Sequence, residues 1–177
     1  ADKLEDICEN FCKKTEIKFI SHSLKQKNMS SNLEKKLRDE RYRFFEKTLE
    51  KNSILFMGHH LDDLIETFFL RALRGSGIEG LSSIPKERAV GKGKLIRPFL
   101  NIPKSEILAK AKKDKLKFIK DPSNKDISFD RNYLRNKVLP QIENRWPSYR
   151  KNLNQLIENL KESSDLLITH AEKDFNE

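Results

Sequence analysis

Apolar residues change their spacing in the middle of the chain, and the change predicts a strand that leads into a helix. The uninterrupted apolar run 54–57 is typical of a buried strand, and Gly58 ends it. The apolar residues that follow recur at the spacing of one helical face, at Leu61, Leu64, Ile65, Phe68 and Leu73. We therefore expect a strand over 54–57 and a helix that begins next to His60.

The same analysis predicts an alternation of helices and strands through the first hundred residues. A helix is expected over 2–14, a short strand over 17–20 and a second helix over 32–50. The order strand, helix, strand, helix favours a parallel sheet. The polar stretch 82–93 predicts a loop, and 94–96 predicts a further strand.

Helical periodicity dominates the second part of the chain. A helix over 131–139 is interrupted at Pro140, and one long amphipathic helix runs over 149–175. We therefore expect an α/β core over 1–100 and a helical extension over 101–177.

The composition adds an anionic partner to this picture. Lysine and arginine number 36 against 27 aspartate and glutamate, a formal net charge of +9, and a surface this basic favours nucleic acid. A lysine-rich proteome would give the same charge, so composition leaves both interpretations open. The two cysteines, Cys8 and Cys12, form no disulfide framework, and no apolar run reaches the length of a membrane span. We therefore expect a cytoplasmic protein with no membrane partner.

Five residues with acid–base or metal-binding side chains lie where the strand gives way to the helix: His59, His60, Asp62, Asp63 and Glu66. In an open parallel sheet, ligands bind at this end of the strands. Glu66 is three positions after Asp63 and four after Asp62, so it can share a helical face with either. Paired carboxylates of this kind hold hydrated Mg²⁺ together with substrate phosphates, or bind an ammonium group.

Two other interpretations of this cluster stay open. Acidic residues in a first helical turn also favour the helix dipole and cap backbone N–H groups, although this explains one aspartate better than the whole cluster. A zinc or two-metal site would need further ligands, and the remaining histidines, His22 and His170, lie in a polar loop and in the C-terminal helix. A functional site is therefore the favoured hypothesis.

Two pairs of arginines extend the candidate site. Arg71 and Arg74 lie one turn apart, and Arg131 and Arg135 are four positions apart on one helical face. Guanidinium pairs suit phosphate groups or an RNA backbone. For the first pair, the alternative is an interaction with the last carbonyls of its helix. For the second pair, the alternative is a solvated helix with Asp121 as the salt-bridge partner.

Taken together, these residues resemble the tRNA(Ile)-lysidine synthetases, a family of N-type ATP pyrophosphatases. The resemblance covers roughly residues 4–140, and the combination is specific although each motif alone is not. The matching motifs, in chain order, are Asn32-Leu33-Glu34 with Arg38 and Arg41-Tyr42; Gly58-His59-His60-x-Asp62-Asp63-x-x-Glu66-Thr67; Arg74-Gly75-x-Gly77-x-x-Gly80-Leu81; Arg97-Pro98; Asp121-Pro122-Ser123-Asn124; and Arg131-Asn132-x-x-Arg135, followed by Leu139-Pro140.

The resemblance implies a fold and a reaction. The fold is a Rossmann-like parallel sheet of the N-type ATP pyrophosphatase kind, incomplete at its N-terminus and followed by helices. In the reaction, ATP adenylates the C2 carbonyl oxygen of the wobble cytidine of an isoleucine tRNA, and lysine then displaces AMP to give lysidine. The implied ligands are ATP with Mg²⁺, lysine and the tRNA.

The resemblance also implies roles for individual residues. The catalytic residues would be His59, His60, Asp62, Asp63 and Glu66. Among them, Asp63 and Glu66 would contact the lysine amine or a metal, and Asp62 and Asp63 would be the Mg²⁺ ligands. The nucleotide would be bound by His59 and Arg74. The substrate-binding residues would be Asn32, Glu34, Arg38, Arg41, Arg131 and Arg135.

One part of the family pattern has no match in this sequence. The family's phosphate loop, Ser-Gly-Gly-x-Asp-Ser, is not found, and no glycine precedes Gly58, so we expect this chain alone to be inactive with ATP. Two alternatives remain: a basic RNA-binding fragment without catalysis, and a tRNA thiolation enzyme of the same superfamily. The second is weakened because Cys8 and Cys12 lack Cys-x-x-Cys spacing and lie far upstream of His59.

Overall fold

Eight α-helices and three β-strands make up most of the residues that the computed structural model describes, which are 2–23, 33–82, 84–119 and 121–176. The strands are β1 (Ile54–Phe56), β2 (Glu87–Val90) and β3 (Gly93–Ile96). The helices are α1 (Asp2–Lys14), α2 (Leu33–Thr48), α3 (Leu61–Ala72), α4 (Ile78–Leu81), α5 (Lys104–Lys113), α6 (Asp130–Tyr133), α7 (Leu139–Arg145) and α8 (Tyr149–Asn176). A 3-10 helix over Pro122–Lys125 precedes α6, and a π-helical segment over Leu134–Val138 joins α6 to α7.

β3 is the central strand of a mixed sheet with the order β1-β3-β2. β1 runs parallel to β3, with Leu55 opposite Leu95, and β2 runs antiparallel to β3, with Arg88 opposite Leu95. The parallel pair confirms the α/β interpretation. The prediction of a loop over 82–93 is wrong where the chain forms β2. Only Val90 of the four residues of β2 is buried, so the strand shows no alternation of apolar and polar residues.

Gly91 closes the hairpin between β2 and β3 in a conformation that favours glycine. Its φ is +54°, in the left-handed region. A Cβ atom at this position would lie 3.0 Å from both the Cα and the carbonyl oxygen of Glu46 on α2. This close approach lets α2 pack against the hairpin and brings Tyr42 of α2 beside Arg88 of β2.

Two predictions about strands are wrong. Residues 17–20 form no strand, because no described segment pairs with them and periodicity alone cannot supply a hydrogen-bonding partner. β1 is a strand but not a buried one, since Ile54 and Phe56 are 53% and 65% exposed. Successive side chains of a strand point to opposite faces, and the described residues cover only the face that carries Leu55.

The core lies between α3 and the first half of α8. The buried apolar residues of this core are Leu61, Leu64, Ile65, Leu100, Leu134, Leu139, Tyr149 and Ile157.

The predicted helices α1, α2, α3 and α8 are confirmed to within two residues wherever an end was predicted. Within the described part of the chain, no helix is both long enough and apolar enough to cross a bilayer.

The interruption predicted at Pro140 takes the form of a change in helix type. The N–H of Leu139 donates to the carbonyl of Leu134, five residues earlier, which is the hydrogen bond of a π-helix. Pro140 has no N–H to donate and lies in the first turn of α7. The chain therefore stays helical from α6 to α7, and Arg131 and Arg135 both face α3.

The central strand β3 provides a test of how the buried residues are packed. Leu95 of β3 is fully buried, so Leu95→Ala should lower the free energy of unfolding by about 3 kcal/mol through lost apolar contacts and a cavity. Leu73→Ala is the matched control, because Leu73 is 77% exposed and its truncation should change stability by less than about 0.5 kcal/mol. Urea denaturation measures both, and equal losses would contradict the described core.

Candidate active site

A cleft of about 540 Å³ opens at the carboxyl end of the parallel pair β1 and β3. His59 reaches it shortly after β1, and Arg97 follows β3 directly. The described lining residues include six arginines and one carboxylate, that of Asp63, so the cleft attracts anions. The charged and polar lining residues are Arg38, Arg41, Tyr42, His59, Asp63, Thr67, Arg71, Arg88, Arg97 and Arg131.

The first turn of α3 is closed by a reciprocal pair of hydrogen bonds between His60 and Asp63. The backbone N–H of Asp63 donates to His60 Nδ1 at 3.3 Å, and the backbone N–H of His60 donates to Asp63 Oδ2 at 3.1 Å. This capping box satisfies two helix-end donors. The capping interpretation of the cluster therefore applies to His60 and to one oxygen of Asp63, while the other oxygen of Asp63 faces the arginines.

His59 is held as a neutral imidazole by Arg97. Arg97 Nε donates to His59 Nδ1 at 3.2 Å, and Arg97 Nη1 donates to the carbonyl of Pro85 at 2.6 Å. Burial of the ring and the neighbouring charge of Arg97 lower the pKa of His59 below its ordinary value. Because Nδ1 accepts, the proton of the neutral ring is assigned to Nε2, which can donate to a ligand.

Glu66 is a fully buried carboxylate held by two arginines. Arg131 Nε donates to Glu66 Oε2 at 2.8 Å, and Arg135 donates to both oxygens, from Nε at 2.6 Å and from Nη2 at 2.7 Å. The side chain of Glu66 has no exposed surface and does not line the cleft, whereas Arg131 does. Glu66 therefore acts on the cleft through Arg131.

Asp63 extends this arrangement into the cleft. Its Oδ1 lies 3.4 Å from Arg135 Nη2 and 3.7 Å from Arg131 Nη2. Arg131 Nη2 also contacts the backbone carbonyl of Asp63 and Oγ1 of Thr67, at 3.3 and 3.4 Å. Two acids one turn apart on α3 thus meet two arginines one turn apart on the facing helical segment. Asp121, the predicted alternative partner of the arginines, instead accepts from the N–H of Ser123.

Asp62 points away from the cleft and ties three helices together. Its Oδ2 accepts from the backbone N–H of Lys104 at the start of α5, at 2.8 Å, and its Oδ1 accepts from Arg150 Nε on α8, at 3.0 Å. Burial alone would raise the pKa of Asp62, but these hydrogen bonds and the charge of Arg150 lower it below its ordinary value. Asp62 and Asp63 therefore serve different partners, and the described residues contain no group of three or more metal-binding side chains.

Of the other residues predicted to belong to the site, some line the cleft and others lie outside it. Arg38 and Arg41 line the cleft, and Arg135 lies behind it against Glu66. Arg74 does not line it, since its side chain is 68% exposed and pairs with Asp130. Asn32 lies outside the described residues, and for Glu34 the structure describes the backbone within α2.

Three of the six cleft arginines have no individual role predicted from the sequence. The sequence indicates Arg71 only as an ambiguous partner of Arg74 and Arg97 only as part of a motif, and it does not indicate Arg88. In the sequence, Arg88 stands in a polar stretch, which is typical of a solvent-exposed residue. In the structure, the hairpin of β2 and β3 places Arg88 against Tyr42 of α2. Only a correct prediction of β2 would have indicated Arg88.

The motif 121–124 anchors the arginine segment from the other side. Its 3-10 helix is held by Asn132 Nδ2, which donates to the carbonyl of Ser123 at 2.9 Å, and by Asn136 Nδ2, which donates to the carbonyl of Asn124 at 2.9 Å. Arg135 Nη1 reaches Asn124 Oδ1 at 3.3 Å. The loop therefore helps to orient the side chain that clamps Glu66.

A family model and curated proteins each match most of this chain. The family model described as the PP-loop domain matches residues 1–142. The tRNA(Ile)-lysidine synthase of Buchnera aphidicola is 44% identical over 150 residues, which cover 85% of this chain and 34% of that protein. The synthase of Pseudomonas putida is 39% identical over 169 residues, 96% of this chain and 38% of that protein. The chain thus spans between a third and two fifths of the length of these curated relatives.

A solved structure shares the fold. The U34-tRNA thiolase NcsA from Methanococcus maripaludis, with its [4Fe-4S] cluster, superposes with a TM-score of 0.62 at 20% sequence identity. The match covers 89% of this chain and 55% of that one. At this identity the likeness shows the fold alone.

The lowered pKa of His59 predicts a pH dependence of stability. As the pH falls below 6.5, the unfolded chain protonates this histidine before the folded chain does, so the free energy of unfolding falls, by at most about 1.4 kcal/mol per pH unit for one proton. His59→Gln should remove this part of the loss between pH 7.5 and 5.5. His170→Gln, at an exposed position of α8, is the control. Urea denaturation at both pH values decides, and identical curves for the two variants would contradict the assignment.

Proposed function

The chain belongs to the PP-loop domain family, and from this premise we propose that it carries the base-modifying site of a tRNA(Ile)-lysidine synthase. The observation that carries the proposal is the cleft, which is lined by six arginines, a neutral His59 and the carboxylate of Asp63. Arginines suit the phosphates of ATP and RNA, and a carboxylate among them suits an amine. The names of the curated relatives point to lysidine synthesis on an isoleucine tRNA.

The proposed reaction has two steps. The C2 carbonyl oxygen of the wobble cytidine attacks the α-phosphorus of ATP, and pyrophosphate leaves. The ε-amine of lysine then attacks C2, the C2–O bond breaks with loss of AMP, and the amine gives up a proton. Adenylation turns a poor leaving oxygen into a good one, and the site must hold the base, the nucleotide and the amine in register. Because all three substrates are cytoplasmic, we assign the reaction to that compartment.

We assign the parts of this reaction to residues by their position. Asp63 is the carboxylate of the cleft, and we propose that it binds the lysine amine and receives its proton. His59 offers Nε2–H as a neutral donor to the nucleotide. Arg131, fixed by Glu66, stabilises negative charge on phosphate. In this assignment Glu66 and Asp62 are positioning residues, since neither reaches the cleft.

Mg²⁺ is the metal expected with ATP, and only part of the predicted ligand pair suits it. Both oxygens of Asp62 are engaged, by the N–H of Lys104 and by Arg150. Asp63 lines the cleft, so we propose that it would hold Mg²⁺ together with the triphosphate, and that it would be free for the lysine amine once pyrophosphate has left. The metal ion would neutralise phosphate charge and keep most of its water ligands.

Thiolation is the weaker function for this chain. Cys8 and Cys12 lie on α1 and line a separate groove with Lys115, Leu116 and Lys117, away from His59 and Asp63. Iron–sulfur clusters of the [4Fe-4S] type are held by cysteine thiolates, normally four, and this sequence has two. Neither thiol is positioned to deliver sulfur to a base bound in the arginine cleft.

Lysidine formation tests the proposal in a protein of the relatives' length that carries this sequence. We expect lysine to be incorporated into isoleucine tRNA, and Arg131→Gln to lower kcat/KM about a hundredfold, because it removes a fixed donor to developing charge. Arg74→Gln is the control, since Arg74 is exposed and outside the cleft. No incorporation by the unaltered protein would refute the function. Equal losses in the two variants would refute the site while leaving the function standing.

A further inference from the structure

Tyr42 of α2 lines the cleft, and the guanidinium groups of two of its six arginines lie over its ring. The guanidinium carbon of Arg88 lies 4.5 Å from the centre of the Tyr42 ring, and that of Arg38 lies 5.9 Å from it. Both distances are within the range of cation–π attraction. Tyr42 also packs edge-on against Phe45, with ring centres 6.0 Å apart, so the position of its ring is fixed from behind.

The hydroxyl group of Tyr42 donates one hydrogen bond and lies among positive charges. Its O–H donates to Met57 Sδ at 3.8 Å, which leaves the oxygen lone pairs to accept. The positive charges of Arg88 and Arg97 act on that oxygen. Burial alone would raise the pKa of the phenol, but the hydrogen bond from Arg88 and the charges of Arg88, Arg97 and Arg38 together lower it. The oxygen thus sits in a strongly positive environment.

Three guanidinium groups held this close repel one another. Among the described residues, no carboxylate forms an ion pair with Arg38, Arg88 or Arg97. On the opposite side of the cleft, Arg131 has Glu66 and Asp63 as counter-charges. On its side of the cleft, the ring face and the oxygen of Tyr42 attract the guanidinium groups as a counter-charge would. Tyr42 does so without cancelling their positive charge.

We propose that Tyr42 is a positioning residue that pre-arranges Arg38, Arg88 and Arg97 for a polyphosphate ligand. In the proposed reaction, on which this inference rests, that ligand is the pyrophosphate portion of ATP. A carboxylate in place of Tyr42 would compete with phosphate for the guanidinium groups, whereas a neutral ring orients them and leaves their charge available. Because Arg97 also donates to His59, Tyr42 couples the polyphosphate side of the cleft to the histidine.

Titration of the chain with inorganic pyrophosphate tests this role. Tyr42→Phe keeps the ring and removes the hydroxyl, and should weaken binding about tenfold, as expected when hydrogen bonds to charged groups are lost. Tyr42→Leu removes the ring face as well and should weaken binding about a hundredfold. Tyr133→Phe, at an exposed tyrosine outside the cleft, should bind like the unaltered chain.

An NMR titration of His59 gives a second readout that a merely structural role would not change. With the hydroxyl removed, Arg97 keeps its hydrogen bonds to His59 and Pro85 but loses one of the groups that orient it. Its charge should then act less strongly on the ring, so the pKa of His59 should rise toward its ordinary value in Tyr42→Phe and stay unchanged in Tyr133→Phe. Unchanged pyrophosphate affinity together with an unchanged His59 titration in Tyr42→Phe would overturn the role of Tyr42. Failure of the unaltered chain to bind pyrophosphate would instead overturn the polyphosphate site itself.

Discussion

The pairing of Glu66 with Arg131 and Arg135 is the interaction on which the rest of the site depends. A carboxylate with no exposed surface costs several kcal/mol unless its charge is matched and its lone pairs are filled, and here three N–H groups fill them at 2.6 to 2.8 Å. Both arginines come from one continuous helical segment. The cost of burying Glu66 is therefore offset only when that segment docks against α3 in one register.

This docking determines what reaches the cleft. Arg131 satisfies Glu66 through Nε and directs Nη2 toward Asp63 and Thr67, so a structural ion pair also presents a guanidinium group to a ligand. On the far side, Tyr42 orients a second group of arginines without a counter-charge. The cleft is thus built from two differently supported sets of arginines, one held by acids and one held by an aromatic ring.

The sequence predicted local structure best where apolar periodicity and the chemistry of the side chains coincide. The apolar spacing after Gly58 correctly predicted where α3 begins. The spacing of Arg131 and Arg135 correctly predicted that they share a helical face, which in the structure meets one partner. The sequence could not identify that partner as Glu66, because burial of a charged residue depends on a segment 65 residues later in the chain. It missed β2 and Arg88, since an exposed hairpin strand carries no apolar alternation. The domain boundary near residue 100 and the catalytic roles stay predictions.

A double-mutant cycle between Glu66 and Arg135 tests the central claim most directly. The free energy of unfolding is measured by urea denaturation for the unaltered chain, Glu66→Gln, Arg135→Gln and the double variant. If the buried pair fixes the docking of the arginine segment, the two changes should be coupled by more than about 1 kcal/mol, since each removes the same interaction. Additivity within about 0.3 kcal/mol would show that the two residues act independently, and would contradict the account.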